Sequence, residues 1–206
     1  MISNLIVIDD FYADPMAIRQ KALELDYPPP GAEQNFPGRN SKQRLMPPKL
    51  EDLISEITGE RLAPGMKVAH CVCRAAMAGD DEKRQYYVHI DPGMAWSGIL
   101  YLTLPEHCRG GTEFYRHIAT DSERTPLYPD ELKAAGVRNY WEAADSIIRN
   151  DSNDLSKWEL TMTVPMRFNR LVLLRPWMWH TAGISFGDSL ENCRLVQLFF
   201  FEGARA

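Results

Sequence analysis

From residue 66 to residue 201 the chain repeats one texture, in which short apolar runs are each closed by a polar or glycine-containing turn. Runs at 67–76, 96–104, 158–164, 169–174 and 193–201 read as strands. Arg109-Gly110-Gly111-Thr112 reads as a hairpin turn feeding a further strand. Many short strands interrupted by turns lead to a sandwich or jelly roll. The expected architecture is mainly β with flanking helices, in one domain spanning 1–206. Residues 1–65 would form an N-terminal strand and supporting helices, and 66–201 the β core.

The N-terminal part carries its own signals. Leu5-Ile6-Val7-Ile8 reads as a strand, and Asp14-Pro15 as a helix N-cap followed by proline at the first helical position. That helix should run to about Leu25, with Ile18, Ala22 and Leu25 on one stripe, and end at Pro28-Pro29-Pro30-Gly31. A second helix begins near Pro47-Pro48. Its Leu50, Leu53, Ile54 and Ile57 recur at helical spacing, and Gly59 is placed as its C-cap. Between the helices, residues 35–42 form an irregular polar loop with an aromatic and two cations, which is a candidate lid. Residues 116–157 break the strand rhythm. They read as an insertion with helices opening at Pro129-Asp130-Glu131 and over 140–148, with Trp141, Ala144 and Ile148 on one side.

Composition narrows the function classes. At 206 residues, 45% hydrophobic and 25% charged, the chain can bury a substantial core. A net charge of −5 without a Lys/Arg run argues against nucleic acid as a partner. No apolar run approaches the ~20 residues of a membrane span, and the N-terminus lacks a basic region before an apolar one, which points to a cytoplasmic protein. Cys71, Cys73, Cys108 and Cys193 read as reduced thiols, since Cys71-Val72-Cys73 lacks zinc-knuckle spacing.

The stretch with chemistry in it is Tyr86-Tyr87-Val88-His89-Ile90-Asp91-Pro92-Gly93. If Val88-His89-Ile90 is extended, His89 and Asp91 point to one face at a strand end, and Asp91-Pro92-Gly93 is the turn. An imidazole and a carboxylate so placed suit a divalent metal but need a third ligand. His180, beyond the apolar run Leu171-Val172-Leu173-Leu174, is the best candidate. Two histidines and one carboxylate with open positions opposite form the ligand set of non-heme Fe(II) sites. Arg194 lies in an otherwise almost wholly apolar strand. A guanidinium there is costly to bury unless it meets an anion, and its planar fork binds carboxylates in two-pronged fashion. An internal ion pair is the other reading of Arg194.

Together, His89-Ile90-Asp91, His180 and Arg194 resemble the iron(II)- and 2-oxoglutarate-dependent oxygenases. Ser97-Gly98-Ile99-Leu100-Tyr101-Leu102, Gly110-Gly111-Thr112-Glu113-Phe114 and Phe168-Asn169-Arg170-Leu171 look like strands of the prolyl-hydroxylase-like branch. The resemblance covers roughly 67–201. It implies a double-stranded β-helix, a cupin-like jelly roll, with Fe(II) on His89, Asp91 and His180. It also implies 2-oxoglutarate on the iron with its distal carboxylate on Arg194, and O2 as cosubstrate. The implied reaction hydroxylates a C–H bond of a small molecule or amino-acid-derived metabolite, releasing succinate and CO2.

The sequence departs from that branch in two places. Many relatives carry Ser or Thr two residues after the arginine, where this chain has Val196. A tyrosine is expected to replace it as partner of the distal carboxylate, with Tyr87 first because it would share a face with His89, and Tyr101 second. The span between the two histidines is also long, and the insertion accounts for it. An aspartate at position 91 argues for hydroxylation over halogenation. Arg39, Arg175 and Trp179 are candidate substrate contacts, while His70, His107 and His117 read as solvated or core histidines. Two alternatives stay open: a cupin-like metalloenzyme that does not use 2-oxoglutarate, and a non-enzymatic jelly-roll binding module. Substrate and oligomeric state also stay open, a homodimer included.

Overall fold

The computed structural model describes residues 3–31, 34, 36–83 and 85–204. Met1 and Ile2 of the N-terminus and Asn35 of the expected lid lie outside them. In chain order the strands are β1 (Leu5–Ile8), β2 (Arg39–Arg44), β3 (Leu62–Pro64), β4 (Val72–Ala76), β5 (Trp96–Tyr101), β6 (Gly111–His117), β7 (Trp158–Pro165), β8 (Leu171–Leu174), β9 (His180–Thr181) and β10 (Arg194–Gly203). The α-helices are α1 (Pro15–Leu23), α2 (Leu50–Thr58), α3 (Pro129–Ala134) and α4 (Tyr140–Asp151).

A large antiparallel sheet runs in the order β1-β8-β5-β10-β4-β2, with β3 extending one end of β10. A smaller sheet of β7-β6-β9 faces it, and the pair forms the two walls of a jelly roll. β10 is central, as its continuous apolar sequence requires, pairing with β5 on one side and β4 on the other. Its alternate residues serve two cores. Leu195, Phe199 and Phe201 join Trp96, Leu100 and Leu173 on the outer face, beneath Ala22 of α1 and Leu50 and Ile54 of α2. Val196 and Leu198 join Ile99, Tyr101 and Val172 on the inner face, against Phe114 and Val164 of the small sheet. Each such side chain taken fully from water stabilises the fold by about 1.5–3 kcal/mol.

The N-terminal helices follow their sequence signals. Asp14 accepts from the Ala17 backbone N–H at 3.0 Å, and Pro15 opens α1. Gly59 closes α2 at φ +70°. Leu53, placed on the buried stripe of α2, is instead 43% exposed, while Leu50, Ile54 and Ile57 pack against the outer core.

Four local expectations change. Residues 39–42 of the expected loop belong to the edge strand β2, which pairs with β4. The strand expected over 67–76 begins only at Val72, after a turn in which Cys71 takes φ +59°. The glycines at 110 and 111 do not turn a hairpin, since β5 belongs to the large sheet and β6 to the small one, so the chain crosses between walls there. Residues 88–90 form no strand, only an isolated bridge between His89 and His180.

Candidate metal centre

The segment leading into His89 is held from two sides. On one side, His89 and His180 exchange backbone hydrogen bonds of 2.9 and 3.1 Å, and the Asp91 N–H donates to Pro176 O at 2.8 Å. On the other side, the end of α4 takes the place of a neighbouring strand. Ser152 Oγ donates to Val88 O at 2.8 Å, Asn153 Oδ1 accepts from the Tyr87 N–H at 2.9 Å, and Asn153 Nδ2 donates to Gln85 O at 2.8 Å. Beneath these bonds, Val88, Ile90, Tyr115, Ala144, Trp158 and Trp179 form a third small core. The insertion is therefore what positions the His89 segment.

His180 comes from β9, where it pairs with Phe114 of β6. Donor atoms of His89, Asp91 and His180 all lie within 4.8 Å of one another. His180 Nε2 is 3.5 Å from Asp91 Oδ2, and His89 Nε2 is 4.0 Å from Asp91 Oδ1. Both imidazoles are oriented by backbone: His180 Nδ1 lies 2.8 Å from Met178 O and His89 Nδ1 lies 3.1 Å from Tyr87 O. A carbonyl accepts only, so each Nδ1 carries the proton and each Nε2 turns its lone pair towards Asp91. Backbone carbonyls behind metal-binding imidazoles serve the same end in metalloproteins. The donor set therefore fits a divalent ion.

The electrostatics agree. Burial works against the charged carboxylate of Asp91, yet in the metal-free protein a second proton on His180, carried by Nε2 and donated to Asp91, together with the charge of the two imidazoles outweighs it and holds its pKa well below the usual carboxylate range. Burial also works against a charged His180, and the Asp91 carboxylate reverses that, raising the imidazole pKa. The cluster favours positive charge beside Asp91.

Arg194 is buried on the inner face of β10 (4% exposed). Tyr101 of β5 lies opposite Val196, two residues along, and so shares that face. Its hydroxyl and Thr112 Oγ1 are 2.7 Å apart. Burial raises the Tyr101 pKa and the Arg194 charge draws it partly back. Tyr87 is elsewhere: its hydroxyl donates to Glu113 Oε2 at 3.2 Å, and its ring meets Tyr115 edge-on. Residues 88–90 form no strand, so the period-two rule does not place the Tyr87 ring, whereas Tyr101 lies within reach of the Arg194 charge.

A cavity of about 380 Å³ opens beside His89 and Asp91, lined also by Phe36, Arg74, Trp141, Thr181 and Phe200 among others. The expected substrate contacts are not in it. Arg175 gives its donors to Glu60, Ser3 O and Ala95 O, and its guanidinium lies 4.0 Å from the Trp96 ring centroid. Trp179 is wholly buried against Trp158. Arg39, opposite Ala75, takes the outer side of β2 and is exposed. What sequence reasoning missed is Arg74, the single cation in the apolar strand Val72-Cys73-Arg74-Ala75-Ala76. Like Arg194, it is a lone guanidinium in an apolar strand, a signal present in the sequence.

A family model described as a family of unknown function (DUF6445) matches residues 2–197. No curated protein matches. Among solved structures, the non-heme α-ketoglutarate-dependent carbocyclase SnoK from nogalamycin biosynthesis aligns with a TM-score of 0.53 at 14% identity, over 98% of this chain and 80% of that one. HygX from Streptomyces hygroscopicus, with nickel, 2-oxoglutarate and hygromycin B bound, aligns with a TM-score of 0.50 at 12% identity, over 98% and 83%. At such identities the likeness is one of fold, that of the 2-oxoglutarate-dependent enzymes. Among the described residues no helix is long and apolar enough to cross a membrane.

Proposed function

The chain belongs to the family of unknown function DUF6445, and for it we propose an Fe(II)- and 2-oxoglutarate-dependent dioxygenase that hydroxylates a C–H bond of a small molecule or amino-acid-derived metabolite. One observation carries the reading. Two imidazoles fixed by backbone carbonyls turn Nε2 towards one carboxylate, at the edge of a cavity, on a fold shared with 2-oxoglutarate-dependent enzymes. The finer placement in the prolyl-hydroxylase-like branch rests on the residue resemblance.

In this reading His89, Asp91 and His180 hold the iron. When bound, iron and 2-oxoglutarate supply the oxidising chemistry that yields succinate and CO2. The chain's own residues orient and shield. Met178 O and Tyr87 O keep the proton on each Nδ1, so both imidazoles bind metal through Nε2. Arg194 receives the distal carboxylate of 2-oxoglutarate in the dry interior of the sheet, where a charge-assisted, two-pronged contact is strong. Trp141, Ala144 and Ile148 of α4 wall the cavity and keep water from the substrate face.

The test is conversion of 2-oxoglutarate to succinate in the presence of Fe(II) and O2. Asp91→Ala is expected to abolish it. Arg194→Ala should mainly raise the 2-oxoglutarate concentration required, by about tenfold or more for a lost charge-assisted contact. Wild-type turnover in either variant would overturn the corresponding assignment.

A further inference from the structure

Arg74 is placed by β4 on the inner face of the large sheet, opposite Val196 of β10 and Asn40 of β2. Its Nε donates to Asn40 Oδ1 at 2.8 Å, and its guanidinium carbon lies 3.8 Å from the centroid of the Phe36 ring. Among the described residues no carboxylate pairs with it and its other donors have no protein partner. This sets it apart from Arg19, which donates to Leu102 O and Glu191 O, and from Arg124, which grips Glu131. Arg74 belongs to the wall of the cavity beside His89 and Asp91.

The surroundings look built to hold that guanidinium still. Gln34 Nε2 donates to Phe36 O at 2.8 Å and to Gly38 O at 2.6 Å, closing the turn that carries the ring. Gly38 sits at φ +83° so close to β4 that a Cβ would come within 2.4 Å of Ala75 O. Any other residue would push the turn, and Phe36 with it, off Arg74. A planar cation stacked on one face and tied at Nε presents its remaining N–H groups in a fixed fork, which matches a carboxylate. The rest of the lining includes Trp141, Ile148 and Phe200, with Pro37 and Ala144 beside them. Asp145, the other carboxylate in the wall besides Asp91, is taken by Arg149 at 2.8 Å. Burial and the neighbouring Arg194 push the Arg74 pKa down to about 9 and the Asp91 charge draws it partly back, so the guanidinium stays charged near neutrality in the cavity wall with no carboxylate in hydrogen-bonding contact among the described residues.

We propose that Arg74, stacked on Phe36 and tied to Asn40, is the specificity residue for the primary substrate. It receives a carboxylate on that substrate while the apolar wall of α4 and Phe200 takes an aromatic or aliphatic body. The substrate class is thus an organic acid with an apolar part, distinct from 2-oxoglutarate. The proposal rests on the oxygenase reading for the word substrate, whereas the anion subsite itself does not depend on it.

The experiment is calorimetric titration with matched aryl-alkyl carboxylic acids and their primary amides, such as 3-phenylpropanoate with 3-phenylpropanamide and indole-3-acetate with indole-3-acetamide. It is run on the protein alone and after loading with Zn(II) and 2-oxoglutarate. At least one acid should bind about tenfold or more tightly than its amide, the expected worth of a charged hydrogen-bonded contact. Arg74→Gln should bring that acid down to its amide, and Phe36→Leu, which keeps the cation but loosens it, should remove part of the preference. The affinity of the Zn(II) protein for 2-oxoglutarate should stay within about twofold in both variants. No acid preferred over its amide, or a preference that survives in Arg74→Gln, overturns the proposal. Loss of 2-oxoglutarate affinity in place of the acid preference assigns Arg74 to the cosubstrate and overturns it as well. An Arg74-dependent acid preference in a protein that binds neither Zn(II) nor 2-oxoglutarate keeps the subsite and removes the oxygenase reading.

Discussion

Around Arg175 every branch of the guanidinium is occupied: Glu60 takes the two terminal nitrogens, Ser3 O and Ala95 O take the rest, and Trp96 covers one face. Around Arg74 the aromatic face is present too, but one side-chain amide is its only hydrogen-bond partner among the described residues, and the residue lines a cavity. The histidines divide in the same way. His117 is bonded through both nitrogens, to Thr120 Oγ1 at 2.9 Å and Asp151 Oδ2 at 3.0 Å, and packs on Trp158. His70 accepts the Phe200 N–H on Nδ1. His180 and His89 spend one nitrogen on backbone and bring the other to Asp91. Buried polar side chains that satisfy one another hold the fold together. Those whose remaining valences converge on a cavity are arranged for something that is not the protein.

Three substitutions sharpen that contrast, in descending size. His180→Ala should weaken Zn(II) or Co(II) binding by more than about 100-fold, since loss of even an outer-shell partner costs 10–100-fold. Its melting temperature without metal should change far less, and metal analysis after dialysis would read the loss. If His180 were structural like His117, melting would fall and metal content would not. Arg175→Ala should do the reverse. It leaves Ser3 O and Ala95 O without their donor and opens the N-terminal corner, lowering stability by about 2 kcal/mol, or roughly 4–8 °C in Tm, with metal affinity intact. Urea unfolding and metal titration on the same sample separate the two.

The smallest effect is in pH. Burial lowers the His70 pKa below its ordinary value, despite the Glu51 carboxylate 3.3 Å away. The unfolded chain therefore takes up this proton at higher pH than the folded one. The stability is present above about 6.5, the ordinary histidine value, and is lost as pH falls below it towards the folded pKa. His70→Gln should cost about 1–2 kcal/mol at pH 8 for its lost hydrogen bonds, and less at pH 5. An equal loss at both values, measured by urea unfolding, would contradict the assignment.

The large-scale fold was legible because its signals are local. The Asp14-Pro15 start, the Gly59 stop and the apolar run of β10 each determine their own element. The three donor residues could be nominated too, from residue types that rarely serve an apolar strand end. What stayed hidden depended on distant partners. Val88 and Ile90 have strand chemistry, but the second neighbour of this segment is the end of α4, so Tyr87 and Val88 bond to Asn153 and Ser152 and not to a strand. Arg175 stood close to His180 in sequence, and only the fold shows Glu60 beneath it. Arg74 carried the same signal as Arg194, a lone cation in an apolar strand, and what marks it out is Phe36 arriving from β2's side of the sheet.

The central claim is that His89, Asp91 and His180 bind iron together with 2-oxoglutarate. The most direct test is anaerobic titration of the metal-free protein with Fe(II) and then 2-oxoglutarate, following the visible spectrum. A metal-to-ligand charge-transfer band that appears only with both present, and fails to appear in Asp91→Ala, is the predicted result. Metal binding without the band would point to a cupin-like metalloenzyme that does not use 2-oxoglutarate, and absence of metal binding would contradict the account at its root.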